Sequence, residues 1–257
     1  MRIATWNVNS MNVRQEHVAQ WLAEDPCDLL CLQELKMVSE KFPAERFKSL
    51  GWHLLANGQK TYNGVAVLSR FPLEERDVVL DLPGVDPAQK RLMAVTVNGV
   101  RVVNCYVPNG SEVGSDKYHY KLDWLAKLQS FVQAQLASYP QLVVLGDYNI
   151  APDDRDVHDV SFWAGKILVS PPERSAYQAL CGLGLTDAFR HLQPEGGYFS
   201  WWDYRLGSFQ RNMGVRIDHL LSSPALTAKL THCHIDREPR GWERPSDHAP
   251  VIATYLL

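Results

Sequence analysis

The chain alternates short apolar runs with polar punctuation, and several of those runs have the length and β-branched content of strands. They are Ile3 to Asn7, Leu29 to Glu34, Val65 to Ser69, Val102 to Tyr106, Leu142 to Asp147, Ile217 to Ser222 and Val251 to Tyr255. In all but the last, the apolar stretch delivers a polar or ionisable side chain at its C-terminal end. That is how a packed sheet builds a site along one rim. Helical spacing appears over His17 to Glu24 and over Tyr118 to Ser138, where Tyr120, Trp124, Leu125, Leu128, Phe131 and Val132 predict a core-facing stripe. Val97-Asn98-Gly99-Val100 carries the Asn-Gly pair that suits a type I′ turn between antiparallel strands. Hairpins mixed with helices favour two antiparallel or mixed sheets packed together with helices outside, over a doubly wound parallel sheet.

With 257 residues and 46% hydrophobic content the chain can bury a sizeable core. No linker-like tract, internal repeat or low-complexity segment interrupts it, so a single domain over 1–257 is expected. The opening MRIATWNVNS turns polar too early for a signal peptide, and no window approaches a membrane span, which predicts a soluble, cytoplasmic protein. A monomer is expected. Five cysteines (Cys27, Cys31, Cys105, Cys181, Cys233) form an odd set without CxxC spacing, so reduced thiols are expected, with neither disulfides nor structural zinc. A net charge of -3 does not by itself announce a nucleic-acid partner, so any basic face must be local.

The candidate chemistry lies at the strand ends. Asn7 (TWNVNS), Glu34 (LLCLQELK), the Asp147/Asn149 pair (GDYN) and Asp247 (PSDHAP) offer the hard oxygen donors that Mg²⁺ prefers. Each alone has a plain alternative: Asn7 as a helix-capping amide, Glu34 as a solvated strand end, Asp147 and Asn149 as an Asx-turn. Asp247 and His248 are adjacent and therefore serve different partners, Asp247 on the metal side and His248 on the phosphate side. A histidine needs a second group to fix its tautomer, and Asp218 in GVRIDHLL is the candidate, because it ends a short strand segment. His219 is the competing choice, ranked lower because an apolar Leu-Leu follows it. His248 alone would be a structural loop histidine.

Taken in order, WNVNS, LQELK, GDYN, RIDH and PSDHAP, with TYNGVAVLSR, YVPNG, YKLDWL, LTDAFR and SWWDYR between them, resemble the exonuclease III family of the endonuclease/exonuclease/phosphatase superfamily over essentially the whole chain. The resemblance implies a four-layer α/β sandwich of two mixed sheets flanked by helices. It implies a divalent-metal-dependent DNA phosphodiesterase, using Mg²⁺ with Mn²⁺ able to substitute, on duplex DNA with abasic sites or 3′ ends. Asn7, Glu34 and Asp247 become metal-site residues. Tyr106, Asp147, Asn149, Asp218 and His248 become the catalytic set, and the choice between Asp147 and His248 as base stays open. Trp201, Val215 and Ile217 fall where the family lines a pocket for an extruded abasic sugar, although Ser200 and Val215 are smaller than the aromatics of some members. Trp202 is expected in the core. Tyr62, Asn63, Lys117, Lys121, Arg205 and Arg211 are candidate DNA contacts that position without reading sequence. Two rivals are a hydrolase of another phosphodiester and a non-catalytic nucleic-acid-binding regulator on the same fold.

Overall fold

The computed structural model describes all 257 residues. Its elements begin with β1 (Arg2–Asn7), α1 (Met11–Ala23), β2 (Leu29–Gln33), α2 (Ala44–Ser49), β3 (His53–Asn57), β4 (Val65–Ser69) and β5 (Leu73–Val79). There follow β6 (Leu92–Val97), β7 (Val100–Tyr106), α3 (Asp116–Ser138), β8 (Leu142–Asp147), α4 (Val160–Trp163), α5 (Pro171–Cys181) and β9 (Thr186–Asp187). The chain closes with α6 (Ala188–Leu192), β10 (Trp201–Trp202), β11 (Gly214–Val215), β12 (Asp218–Ser222), α7 (Pro224–Thr227), β13 (Leu230–Ile235) and β14 (Val251–Tyr255).

Two six-stranded sheets have the orders β13-β14-β1-β2-β4-β3 and β5-β6-β7-β8-β12-β9. In the first, β1 and β2 run parallel, and in the second, β7 and β8 do; the other pairs are antiparallel, so both sheets are mixed. Strand residues alternate between faces, and the burial follows that period. Ile3, Leu29, Cys31, Val65 and Val67 pack against Val95, Val102, Val143, Leu145 and Leu220 between the sheets. The opposite parity, Ala4, Trp6, Leu30 and Leu32, packs under α1 and α2, while Val103, Val144 and Leu221 pack under α3 and α5. The expected four layers follow.

The hairpin between β6 and β7 pairs Val97 with Val100 across Asn98 (φ 49°) and Gly99 (φ 77°), the double positive φ of a type I′ turn. Helix α3 starts two residues before the predicted span, capped by Ser115, whose hydroxyl accepts the Tyr118 N–H at 3.2 Å. Helix α1 starts earlier than predicted, with Met11 buried in the core under the first sheet. The rim rule from the sequence holds only for strands that run the same way. Because β4 is antiparallel to β2, Ser69 pairs with Leu29 at the far end; because β12 is antiparallel to β8, Ser222 pairs with Val143 there too. Asp218 therefore begins its strand rather than ending one, and that direction places it opposite Asp147. All five cysteines are free, and no helix is long and apolar enough to cross a membrane.

Candidate active site

The same two-residue alternation that builds the interlayer core carries polar side chains into it at one end. Asn7 continues the face of Ile3, Tyr106 that of Val102, Asp147 that of Leu145, and Asp218 that of Leu220. The two sheets are tied there by hydrogen bonds instead of apolar contact. The Asn7 amide nitrogen donates to Asp147 Oδ2 at 2.9 Å, and one layer below, Gln33 Nε2 donates to Asn104 Oδ1 at 2.8 Å. Close approach of β8 and β7 requires Gly146: at its φ of 141° a Cβ would lie 1.8 Å from the Cys105 carbonyl oxygen. The glycine thus permits the strand contact that sets Asp147 beside Tyr106.

Asp147, Asp218 and His248 form a buried charged centre. His248 Nδ1 donates to Asp218 Oδ2 at 2.8 Å, and its Nε2 faces Asp147 Oδ2 at 3.7 Å. Ser200 sets Asp218, its hydroxyl accepting the N–H groups of Ile217 and Asp218 at 3.0 and 3.1 Å. Asp147 Oδ1 accepts the Asn149 N–H at 2.9 Å. Burial pulls the imidazole toward the neutral form, but the charges of Asp218 and Asp147 overcome it and raise His248 to about 10. Burial raises Asp147, the His248 charge opposes that, and Asp218 adds to it, with the carboxyl pushed up to about 7. The ligand atoms of this trio lie within 4.8 Å of one another. While protonated, the imidazole has no lone pair to offer a cation and serves as a hydrogen-bond donor.

Oxygen donors for a hard cation lie on the other side of Asn7. Glu34 follows β2 with φ 59°, a left-handed turn that swings the carboxylate to the cavity. Its Oε2 accepts the Asn7 amide at 2.8 Å and its Oε1 faces the Lys36 ammonium at 3.2 Å. With both carboxylates on one side and the Asn9 N–H donating to Oδ1 on the other, Asn7 must turn its amide nitrogen to Glu34 and Asp147. Asp247 is held by the Trp201 indole N–H at 2.9 Å and the Asn9 amide at 3.1 Å. The backbone pairing of Ser200 and Trp202 with Ala249 and Asp247 fixes Trp201 and Asp247 side by side. Asp247 and His248 do point to different partners.

These residues open onto a cavity of about 310 Å³ whose polar wall includes Glu34, Tyr106, Asp147 and Asn149, and whose apolar wall includes Trp201 and Ile217. Burial raises the Tyr106 phenol, with Glu34 and Asp147 adding, so it remains a donor. The sequence reading missed Asn109, Trp163, Ile167 and Leu168 in the same lining. It also missed Arg91, whose guanidinium lies over the Tyr106 ring at 4.8 Å and donates to the Tyr106 carbonyl. Nothing in local spacing links the loops of Trp163 or Arg91 to the rim, since tertiary packing alone joins them.

Several expectations need correction. Lys121 is fully buried in an ion pair with Glu173, out of reach of any DNA phosphate. Its position, three residues after Tyr118 and four before Leu125, was on the buried stripe of α3, a signal that could have removed it. Val215 is fully buried in the cluster that backs Trp201 and Ile217 and does not line the cavity. Asn63 is buried, its amide donating to Gln59 at 3.0 Å. Tyr62, Lys117, Arg205 and Arg211 are exposed. Trp202 is core, as expected. His219 points to the helix side, donating to the Ile150 carbonyl at 2.8 Å, and burial followed by the Arg216 charge lowers it to about 4.

Two mixed sheets that bury an Asp–His–Asp centre beside a carboxylate-lined cavity define a hydrolase of phosphate esters. Residues 4–248 match the endonuclease/exonuclease/phosphatase family, and the chain belongs to it. It is 33% identical to exodeoxyribonuclease III of Haemophilus influenzae, over 99% of this chain and 100% of that one. Among solved structures it is similar to the 3′ phosphatase NExo of Neisseria bound to a product DNA hairpin, with 49% identity, a TM-score of 0.97 and full coverage of both chains. It is also similar to an AP endonuclease of Archaeoglobus fulgidus, with 36% identity, a TM-score of 0.96 and full coverage of both.

Proposed function

We propose that this protein is a metal-dependent DNA repair nuclease that removes blocking groups and nucleotides from 3′ ends of duplex DNA and incises 5′ to abasic sites, leaving 3′-hydroxyls. The observation that carries this reading is the buried Asp147–His248–Asp218 centre facing the same cavity as Glu34. The likeness to exodeoxyribonuclease III and to the Neisseria 3′ phosphatase supports the substrate class.

The donor set fits a hard divalent cation, Mg²⁺ first and Mn²⁺ as substitute, with Glu34 as anchor, Asn7 orienting it and Asp247 nearby. Such an ion supplies Lewis-acid polarisation of the phosphoryl group and charge neutralisation at the leaving oxygen. The protein residues do the rest. His248, kept cationic by Asp218, donates to a nonbridging phosphate oxygen, which leaves Asp147 to orient water and take its proton. Tyr106 donates from its phenol. Asn149 gives one amide hydrogen to the Val107 carbonyl at 3.0 Å, and its second hydrogen serves the phosphate. Trp201 and Ile217 exclude water beside an extruded abasic sugar or an unpaired terminal sugar. The enzyme acts as a monomer in the cytoplasm.

A non-catalytic regulator would not need this charged centre, and its retention favours catalysis. The test is turnover of three duplexes, carrying a 3′-phosphate, a recessed 3′ end or an internal abasic site, in Mg²⁺ and in EDTA. Metal-dependent cleavage of at least one is expected, and none at all sinks the reading.

A further inference from the structure

Lys121 and Glu173 have side chains with 0% exposure, and their hydrogen bonds go to groups other than Asp147, Asp218 and His248. The Lys121 ammonium spends all three of its protons locally. It donates to the Asn149 carbonyl at 2.6 Å, to the Asn109 carbonyl at 3.1 Å and to Glu173 Oε1. Glu173 in turn accepts the Leu168 N–H at 3.0 Å on Oε1, and the Ser170 N–H and hydroxyl at 3.1 and 2.6 Å on Oε2. Leu168 sits at φ 79°, a left-handed conformation that costs a leucine roughly 1–3 kcal/mol and persists only where its surroundings impose it. Besides Glu173, its carbonyl is held by the Ala151 N–H at 2.9 Å. Asn149, Asn109 and Leu168 all line the cavity.

One buried ion pair thus joins the polar wall of the cavity to its apolar wall. Net stability is a poor reason for such a pair, because desolvation offsets much of the attraction and apolar side chains of similar size are often as stable. We propose that Lys121 is a positioning residue: through the Asn149 and Asn109 carbonyls on one side and Glu173 with Leu168 on the other, it fixes the separation of the two cavity walls and so presents the phosphodiester to Asp147 and His248. This rests on the nuclease reading above.

The test uses the full chain with Lys121→Met and the double variant Lys121→Met/Glu173→Gln, on duplex DNA bearing a 3′-phosphate. Removing the lysine alone strands a buried carboxylate, so the single variant unfolds at lower temperature; the double variant, without either charge, regains most of that loss. The expected result is that kcat of the double variant nevertheless stays about 10- to 100-fold below wild type, the scale of a reacting group misplaced by an ångström. KM stays within about threefold, since outer phosphate contacts are untouched. Recovery of kcat in step with stability overturns the proposal, as does a loss confined to KM. A substrate-free readout accompanies these: in the metal-free double variant the Leu168 and Ala151 amides exchange about tenfold faster than in wild type, and unchanged protection overturns the positioning role. A wild-type protein inert on every duplex would strike the nuclease reading alone, leaving the exchange result to decide this one.

Discussion

Asp218 Oδ2 lies 2.8 Å from Nδ1 of His248, while the other ring nitrogen faces Asp147 Oδ2 at 3.7 Å, so one imidazole is gripped between two buried carboxylates on neighbouring antiparallel strands. The grip fixes the ring orientation and favours the charged form.

If that pair acts as a unit, Asp218→Asn, His248→Asn and the double substitution share one residual rate, each about 10²- to 10⁴-fold below wild type. Single-turnover cleavage of an abasic or 3′-phosphate duplex checks this, below the unfolding temperature of all three. Multiplicative losses would separate the two side chains. Loss of folding in parallel with loss of rate would reduce the pair to a structural one.

Glu34 faces the cavity with its side chain 18% exposed and one oxygen opposite Lys36 at 3.2 Å. Glu34→Ala should therefore leave the fold intact while weakening metal-dependent turnover by roughly 10²-fold or more, since electrostatic stabilisation by a bound cation is worth several kcal/mol. Activity in EDTA should vanish and return with Mg²⁺ or Mn²⁺. Wild-type rates for Glu34→Ala in Mg²⁺ would move the anchor elsewhere.

How far the site was legible depends on whether a residue's neighbours are local. The strands that deliver Asn7, Glu34 and Asp147 were readable from apolar runs, because β1, β2 and β8 all run toward the rim. Asp218 was found for the right partner but at the wrong end of its strand, since strand direction is a property of the sheet and not of the run. Lys121 shows the reverse: helical phase makes its burial legible, whereas the family resemblance implied a DNA contact. The walls formed by Trp163, Leu168 and Arg91 were not legible, because long-range packing alone sets those loops beside the strands.

Asp147 gives a pH signature in the metal-free protein. Its carboxyl is raised from 3.8 to about 7 by burial, with His248 opposing and Asp218 adding. A raised acid contributes stability fully below the unfolded value near 3.8 and loses it as pH rises through about 7. Wild type in EDTA should thus lose more unfolding temperature between pH 5.5 and 8 than Asp147→Asn does. Equal losses in the two proteins would mean that the carboxyl carries no such strain.

The last prediction separates surface cations from the buried one. Lys117, Arg205 and Arg211 are exposed, Arg205 with a side chain 87% accessible, whereas Lys121 is enclosed with Glu173. A side chain that neutralises a DNA phosphate releases a counterion, so its removal lowers the slope of log affinity against log salt by about 0.9. Lys117→Ala, Arg205→Ala and Arg211→Ala should each weaken duplex binding at low salt and flatten that slope, by an amount indifferent to base sequence because phosphates carry none. Lys121→Met should leave the slope unchanged, since no phosphate can reach an ammonium whose three donors are spent on Asn109, Asn149 and Glu173. Titration in EDTA at several salt concentrations measures each slope. A flattened slope for Lys121→Met would require the α3 helix to open when DNA binds, while unchanged slopes for all three exposed residues would place the DNA on another face.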